Sequence, residues 1–438
     1  PHDHITFANN RPIGGGVDRY EHRHDWRKGD NGHDALNVDG GASADAVLGA
    51  ELRFVMGGAT SAASAGGEAG LLRNLDTGGL LGGLSIPFGN SDTFPLDDSD
   101  GQQVTEGCNY GSDPTTASQV QSYPYLPHVA EGINAAAANE FTCISSSGPN
   151  NLLTDHTALI HGIALVPDDY AEMQQRGSML VWSPRSNIVL YGNTAPVTAI
   201  DVVGVPIALG TDWVASGSMN MLRELKCADQ LDATYFDDHF TDRELWLMAT
   251  ANGARATGAA AVLGTLAAGY VADIAVFRTD ENAHDHRAVI AANVDDVVLV
   301  LRGGVPLYGD DALLATAFFG GSDCEAFDVC GMAKRACVAR DTQGVANLAQ
   351  VRSAIEQDYP LFFCETPEAE PSCLPSRPGA YDGVVDGDGD GDGVTDDVDN
   401  CASVFNPVRE LEAAQGDADQ DGAGDVCDPC PLDDGDAC

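Results

Sequence analysis

The sequence predicts an α/β fold in which parallel strands alternate with helices, either as a closed (β/α)8 barrel or as an open, doubly wound sheet. Up to about residue 277, apolar stretches of strand length alternate with stretches of helical periodicity. The clearest strand candidates are residues 158–162, 178–183 and 205–212, and the clearest helix candidates are residues 129–141, 169–176 and 242–258. This alternation is typical of parallel sheets, because a parallel connection needs a crossover segment.

The C-terminal part of the chain departs from this alternation. Residues 263–276 and 295–307 are predicted strands of a small β-domain, with a tight Gly-Gly turn at residues 303 and 304. A cysteine-rich extension follows, ends in a linker rich in proline, serine and glutamate, and leads into an acidic tail. The predicted barrel comprises residues 1–262, and the predicted β-domain comprises residues 263–310. The extension with its linker covers residues 311–380, and the tail covers residues 381–438.

Composition and charge exclude two classes of protein. The chain has 67 acidic and 22 basic residues, a formal charge of -45, whereas a nucleic-acid-binding surface needs clustered Lys and Arg. No apolar run reaches the length of about 18 residues that a transmembrane helix needs. Twelve cysteines, most of them after residue 320, favour a secreted, periplasmic or cell-surface protein, with surface attachment as an option. The chain starts on a motif that normally ends a strand, so we expect its natural start to be missing.

Histidines and one aspartate stand at the ends of predicted strands. His2 and His4 are two residues apart, so on a strand both side chains face the same side and can share a metal ion. This spacing is weak evidence alone, because it recurs elsewhere in a chain with eleven histidines. His128, His161 and Asp212 each end an apolar stretch. In a (β/α)8 barrel such C-terminal strand ends converge on one mouth, where active sites are built.

These residues belong to five motifs that resemble, in the same order, those of the metal-dependent amidohydrolases, in particular the deaminase and chlorohydrolase-like branch. The motifs are His2-x-His4, His128-x-x-Glu131, His161, Trp182-Ser-Pro-Arg-Ser-Asn187 and Gly210-Thr-Asp212-Trp213. The likeness covers roughly residues 1–309 and implies a (β/α)8 TIM-like barrel with a small β-domain. Family members begin with a segment that forms half of this β-domain; without it, the strands in residues 263–307 would lack partners and expose an edge.

The resemblance implies a mononuclear metal site. His2, His4, His128 and Asp212 would bind one divalent ion, expected to be zinc, with iron or manganese as alternatives. Some relatives hold two metals bridged by a carbamylated lysine. Lys28 is the only lysine between the first two motifs and comes too early for a central strand, so we expect one metal.

The resemblance also implies the chemistry. A metal-bound hydroxide would attack, His161 would face the bound water or the substrate oxyanion, Asp212 would accept a proton and Glu131 would deliver one to the departing nitrogen. The expected function is hydrolysis of carbon–nitrogen bonds other than peptide bonds in a small molecule, as a deaminase or cyclic amidase; carbon–chlorine or carbon–oxygen bonds stay open. The alternative is a secreted calcium-binding surface or adhesion protein with a non-catalytic barrel.

Four further residues are expected to shape the substrate pocket. They are Ser183, Arg185, Asn187 and Trp213. For the first three, the alternative is that a Pro-Arg-Ser-Asn turn at a strand end only caps and braces its loop.

The acidic tail contains two candidate calcium loops. Aspartates recur at the oxygen-ligand spacing of such loops, with small glycines that let the backbone wrap an ion. The ten candidate ligands are Asp388, Asp390, Asp392, Asp396, Asp399, Asp417, Asp419, Asp421, Asp425 and Asp428. The tail resembles thrombospondin type 3 repeats, which implies disulfides Cys401–Cys427 and Cys430–Cys438. Without calcium the tail is expected to be largely disordered, because carboxylate repulsion outweighs its small apolar content.

The sequence does not decide the disulfide partners of six of the remaining cysteines. A disulfide between Cys108 and Cys143 near the barrel mouth is expected, whereas the partners of the others stay open: Cys227, Cys324, Cys330, Cys337, Cys364 and Cys373.

Overall fold

A computed structural model describes residues 2–14, 18–146, 148, 151–319 and 323–433. The N-terminal part of the chain forms a parallel β-barrel. The barrel strands are β1 (Ser61–Ala62), β2 (Arg73–Asn74), β3 (Asn90–Asp92), β4 (Tyr125–Val129), β5 (Ala158–His161), β6 (Met179–Trp182) and β7 (Ile207–Leu209). The sheet order β3-β4-β5-β6-β7 is parallel throughout, and β1 pairs with β2 in the same sense.

The N-terminal residues close this sheet into a ring. His2 makes a parallel bridge to Ala63 beside β1, and Asp3 makes one to Asp212 beyond β7. On the far side of β2, the amide N–H of Gly89 donates to the Leu75 carbonyl at 2.8 Å and joins β2 to β3. Among the described residues, eight parallel segments therefore surround one axis, which confirms the predicted (β/α)8 barrel and excludes the open sheet.

Helices cover much of the barrel. The α-helices are α1 (Arg23–Lys28), α2 (Ala44–Met56), α3 (Ala117–Val120), α4 (Ala135–Ser145), α5 (Pro167–Arg176), α6 (Pro184–Tyr191), α7 (Val197–Val202), α8 (Met221–Tyr235), α9 (Asp242–Ala249), α10 (Ala251–Ala256), α11 (Arg287–Ile290), α12 (Asp311–Leu314), α13 (Val338–Asp341) and α14 (Leu348–Ile355). Short 3-10 helices lie at Ile5–Phe7 and Ala317–Phe319. The connections 63–72 and 75–89, both fully described, contain no helix, so the strand–helix alternation is incomplete around β1 and β2.

The apolar strands supply two layers of core. Side chains along a strand alternate between its faces, so neighbours in sequence enter different layers. Ile160 and Val181 join the cluster inside the barrel, whereas Leu159 and Leu180 join the larger cluster under the helices. Both layers are buried, which explains why these strands are continuously apolar in the sequence.

The small β-domain is larger than the sequence predicts. Its strands are β8 (Ile274–Phe277), β9 (Val297–Arg302), β10 (Val305–Asp310), β11 (Glu325–Val329) and β12 (Met332–Ala336), antiparallel in the order β11-β12-β10-β9-β8. The Gly-Gly turn lies between β9 and β10, and both glycines have positive φ, as predicted.

One expectation about this sheet is wrong, and a second is wrong in part. The strands continue through residue 336, whereas the sequence places the end of the β-domain at residue 310. The β10 edge is paired, because β12 returns along it at Tyr308 to Asp310, whereas β8 is an outer strand of the sheet. Buried Lys334 on β12 fastens the pairing: its ammonium donates to Asp310 at 2.6 Å and to the Val297 carbonyl at 2.8 Å. Residues 263–273, predicted as part of a strand, form turns before β8.

The acidic tail lies against the barrel. Phe405 packs on Tyr235 and Tyr381, with ring centroids 5.9 and 5.3 Å apart, and belongs to the core under the barrel helices. The guanidinium of Arg409 donates to the Leu165 carbonyl at 2.8 Å. The tail is thus joined to the barrel through both apolar and polar contacts, and not only through the linker.

The described cysteines form five disulfides. The expected pairs Cys108–Cys143 and Cys401–Cys427 are confirmed. Three further pairs, which the sequence leaves open, are Cys227–Cys373, Cys324–Cys337 and Cys330–Cys364. The expected pair Cys430–Cys438 includes a residue outside the described ones.

Candidate metal centre

Four side chains from distant parts of the chain converge at one end of the barrel. The ligand atoms of His2, His4, His128 and Asp212 all lie within 4.8 Å of one another. Nε2 of His4 is 3.2 Å from Nε2 of His128, and Nε2 of His2 is 3.8 Å from Oδ1 of Asp212. The four predicted metal ligands are therefore brought together, as three imidazole nitrogens and one carboxylate oxygen.

The backbone around the ligands is held by the barrel itself. Asp212 has φ 62°, a left-handed conformation that costs a non-glycine residue about 1–3 kcal/mol and persists where the surrounding structure enforces it. Here the Asp212 carbonyl accepts from the amide of His4 at 2.5 Å, and its amide donates to the His2 carbonyl at 3.2 Å. These bonds tie the last strand to the first and fix the carboxylate beside both imidazoles.

Burial makes the histidines suited to a cation. It lowers the pKa of His2 and His128 well below the ordinary value, and neighbouring imidazoles lower both further. Burial lowers the pKa of His4 too, against the opposing effect of Asp212. The imidazoles are therefore neutral, with lone pairs free for a metal. Both ring nitrogens of His2 are buried without a hydrogen-bond partner, and such orphaned polar atoms fit a bound ion.

No lysine stands at the centre of the barrel. Lys28 lies in α1, and Lys226 in α8 donates to Asn293 at 2.5 Å. Lys334 is bonded within the β-domain. The three lysines of the chain are all among the described residues, so no carbamylated lysine is placed to bridge a second ion.

Glu131 and His161 form a second pair beside the ligands. Nε2 of His161 lies 3.6 Å from Oε2 of Glu131 and has no hydrogen-bond partner. Nδ1 of His161 is 2.9 Å from the side-chain oxygen of Asn187, which only accepts, so the proton of a neutral ring is on Nδ1. His161 thus presents an unoccupied nitrogen next to a carboxylate, as groups that handle substrate protons require.

Two supporting residues were not recognised in the sequence. The hydroxyl of Ser186 donates to Oδ2 of Asp212 at 2.5 Å, and the hydroxyl of Tyr191 donates to Oε1 of Glu131 at 2.7 Å. Both belong to α6, which starts in the Ser-Pro-Arg-Ser-Asn motif that follows β6. The motif is visible in the sequence, but the contacts of these two hydroxyls with Asp212 and Glu131 depend on how α6 lies in the fold.

Comparison with known proteins finds one family that is similar to part of the chain. Residues 128–307 match the sequence model of the amidohydrolase family. The 5-methylthioadenosine/S-adenosylhomocysteine deaminase of Pyrococcus abyssi is 31% identical over 156 residues, which are 35% of this chain and 36% of that protein. The protein of the same name from Teredinibacter turnerae is 36% identical over 130 residues, 28% of each chain.

The chain spans about a third of the length of these curated relatives. Among solved structures, an adenosine deaminase from Xanthomonas campestris with bound zinc is similar with a TM-score of 0.45 and 18% identity. That similarity covers 70% of this chain and 78% of the other.

The expected pocket residues of the barrel have different surroundings. The side chain of Asn187 positions His161, and the ring of Trp213 packs between Phe7 and Trp26 with centroids 5.7 and 5.8 Å away. The hydroxyl of Ser183 is buried without a partner. Substrate contact by these three residues stays a prediction.

Arg185 has contacts that favour the bracing alternative. Its guanidinium donates to Ser218 at 2.7 Å and to the carbonyls of Arg223 and Pro371. It also pairs with Glu370 at 3.4 Å. These contacts tie α6 to α8 and to the linker, and its contact with substrate remains only a prediction.

A buried ionic network supports the predicted metal ligands from α1. Arg23 pairs with Asp98 at 2.5 Å and with Glu140 at 3.0 Å, and it donates to the His128 carbonyl at 3.3 Å. His24 is bonded to Asp98 at 2.9 Å, and neighbouring His22 lies 3.3 Å from Glu140. The second His-x-His pair is therefore part of this buried network.

The two acidic loops of the tail repeat one hydrogen-bond pattern with an offset of 29 residues. The amide of Gly389 donates to Asp396 and that of Ala418 to Asp425, each at 2.7 Å. Asp399 likewise accepts from the Cys401 amide at 2.8 Å. The equivalent bond from Cys430 to Asp428 is 2.7 Å long. In the described residues, the tail is thus an irregular segment in which one local hydrogen-bond pattern occurs twice.

Six of the ten predicted calcium ligands converge in two groups. These are Asp388, Asp390 and Asp392 in the first loop and Asp417, Asp419 and Asp421 in the second. Asp390 is 1% exposed, and one of its carboxylate oxygens is buried without a partner, as is one of Asp399. Burial and the neighbouring carboxylates raise the pKa of Asp390 to about 8, which shows how poorly this position tolerates an unpaired negative charge.

Proposed function

We propose that the protein is a metal-dependent hydrolase that cleaves carbon–nitrogen bonds other than peptide bonds in a small molecule. The observation that carries the proposal is the convergence of three neutral imidazoles and one carboxylate at one barrel mouth. The matched relatives are named as deaminases of 5-methylthioadenosine and S-adenosylhomocysteine. Release of ammonia from an adenosine derivative is therefore the first activity to test, and opening of a cyclic amide is the second.

The ligand set would hold zinc, which prefers nitrogen and oxygen donors in a four-coordinate site; iron or manganese are the alternatives. When bound, such an ion acidifies water and polarises the substrate. One oxygen of Asp212 accepts from Ser186, and the carboxylate would accept a proton within the site. Glu131 would deliver a proton from its second oxygen to the departing nitrogen, and Nε2 of His161 would face the attacking water or the substrate oxyanion.

Metal content and turnover test this proposal together. The purified protein should contain one equivalent of zinc in the barrel, and Asp212→Asn should lose ammonia release from adenosine derivatives. The matched control is Asp201→Asn, because Asp201 is a half-exposed aspartate of α7 that pairs with His239 at 3.1 Å, away from the barrel mouth. Two tightly bound barrel equivalents, or full turnover in Asp212→Asn, would contradict the mononuclear mechanism. Protein without any barrel metal would favour the non-catalytic alternative.

We further propose that residues 381–433 bind calcium through the two acidic loops. The repeated pattern, the buried unpartnered oxygens of Asp390 and Asp399, and the resemblance to thrombospondin type 3 repeats support this. Calorimetric titration with calcium should show uptake in the millimolar range or tighter. Asp390→Asn should weaken the first site, whereas Asp397→Asn, at an exposed aspartate of the same loop, should not. Equal effects of the two variants would contradict this assignment.

We also propose that the protein works outside the reducing cytoplasm, in the periplasm, at the cell surface or in the surroundings of the cell. The support is its disulfides, several of which join segments far apart in sequence, such as Cys227 and Cys373. Among the described residues, no helix combines the length and the apolar character needed to cross a bilayer. Thiol titration of protein isolated under alkylating conditions should find these cysteines oxidised.

A further inference from the structure

The two carboxylate oxygens of Glu131 have different surroundings. Oε1 accepts the hydroxyl of Tyr191 at 2.7 Å, and Oε2 lies 3.6 Å from the unpartnered Nε2 of His161. All three side chains are almost completely buried. One oxygen of Glu131 therefore faces the protein, and the other faces the histidine beside the metal ligands.

The direction of the hydrogen bond from Tyr191 is determined by a third residue. The indole N–H of Trp26 lies 2.9 Å from the Tyr191 hydroxyl oxygen, and an indole can only donate. The hydroxyl must therefore accept from Trp26, and its single hydrogen must point to Oε1 of Glu131. Trp26, Tyr191 and Glu131 form a chain of hydrogen bonds with one direction.

This chain decides which oxygen of Glu131 can be protonated. A proton on Oε1 would meet the hydroxyl hydrogen of Tyr191, and that hydrogen cannot turn away without meeting the N–H of Trp26. A proton on Oε2 meets the free lone pair of His161 or a substrate atom. The arrangement therefore favours Oε2, on the side where the departing nitrogen would stand.

We propose that Tyr191, held by Trp26, is a positioning residue that places the transferable proton of Glu131 on Oε2. The inference rests on the proposed function, in which Glu131 protonates the departing nitrogen. Tyr191 is suited to this role because its backbone is fixed at the end of α6: its carbonyl accepts from Arg377 at 2.7 Å. The hydroxyl has no other partner than these two residues among the hydrogen bonds of the described chain.

Tyr191→Phe tests the inference, because it removes the hydroxyl and keeps the ring. We expect kcat for an amine-releasing substrate to fall by about 10- to 100-fold, part of what a general acid contributes, with KM and zinc content unchanged. The matched control is Tyr308→Phe in the β-domain, where an equally buried hydroxyl donates to the Val294 carbonyl at 3.0 Å. Trp26→Phe should cause a smaller loss in the same direction, because Tyr191 can then turn its hydrogen away from Glu131.

A second substrate separates positioning from a merely structural role. In a substrate analogue with chlorine in place of the amino group, the leaving chloride needs no proton. Tyr191→Phe should therefore turn over this analogue at close to the wild-type rate. The positioning role would be overturned if Tyr191→Phe lowered kcat equally for the amine and for the chloride. It would also be overturned if kcat for the amine fell no further than in Tyr308→Phe. In both cases, turnover by the wild type would leave the proposed function standing. A zinc-loaded wild type that releases neither ammonia nor chloride would overturn both.

Discussion

Replacing Arg23 with methionine should destabilise the barrel far more than removing an exposed arginine. Arg23 is 1% exposed, and its guanidinium is the cation between the carboxylates of Asp98 and Glu140, both fully buried. Methionine keeps much of the side-chain volume but leaves two buried carboxylates without a counter-charge. Removing one member of a buried ionic group typically costs about 3–5 kcal/mol.

The titration of Asp98 gives a second measure of the same interaction. Burial alone would raise the pKa of Asp98, but the Arg23 charge and the His24 hydrogen bond outweigh it and lower the pKa to about 2, against an ordinary 3.8. At about 1.4 kcal/mol per pKa unit, this corresponds to roughly 2–3 kcal/mol. Because the folded pKa is below the unfolded one, this stabilisation is complete above about pH 4 and is lost as the pH falls towards 2.

Denaturant unfolding followed by tryptophan fluorescence measures this cost, because all four tryptophans lie within residues 1–262. Arg23→Met should lower the free energy of unfolding by about 3–5 kcal/mol at neutral pH, and the difference from wild type should shrink on acidification. Arg352→Met is the control, because Arg352 and Glu356 form an exposed i, i+4 pair worth at most about 0.5 kcal/mol. Equal effects of the two variants, or a penalty that grows at low pH, would refute this reasoning.

Three further outcomes are expected. Calcium at about 100 times its dissociation constant should stabilise the protein by about 2.7 kcal/mol per site. The unfolding transition followed by barrel tryptophan fluorescence should shift too, because Phe405 of the tail packs in the barrel core. An unchanged transition would contradict this coupling. Replacing Cys401 and Cys427 by alanine opens a closed loop of the tail and should cost about 3–4 kcal/mol, seen as weaker calcium binding in calorimetry. Ser186→Ala should weaken zinc binding by about 10- to 100-fold in competition with a chelator, because it removes the donor that orients Asp212; an unchanged affinity would contradict the contact.

The sequence alone predicted the barrel and the members of its site, because the signals involved are local. His2 and His4 face one side through their spacing of two, and His128, His161 and Asp212 each end an apolar stretch that forms or adjoins a buried strand. Their order resembled that of a family, which linked residues that are more than 200 positions apart. The two acidic loops could equally be predicted from the sequence, because calcium ligands in such a loop come from residues close in the chain.

The tertiary structure alone decided the partners of these residues. The direction of α6 brings Ser186 to Asp212 and Tyr191 to Glu131, and no spacing in the sequence encodes those contacts. Likewise β12 pairs with β10 across 20 or more positions, and Cys227 finds Cys373 across 146. Periodicity and spacing in a sequence predict local structure, because they reflect contacts between residues close in the chain. Hydrogen bonds between distant segments depend instead on how the whole core packs. That packing is the sum of many contacts, and no single motif contains it.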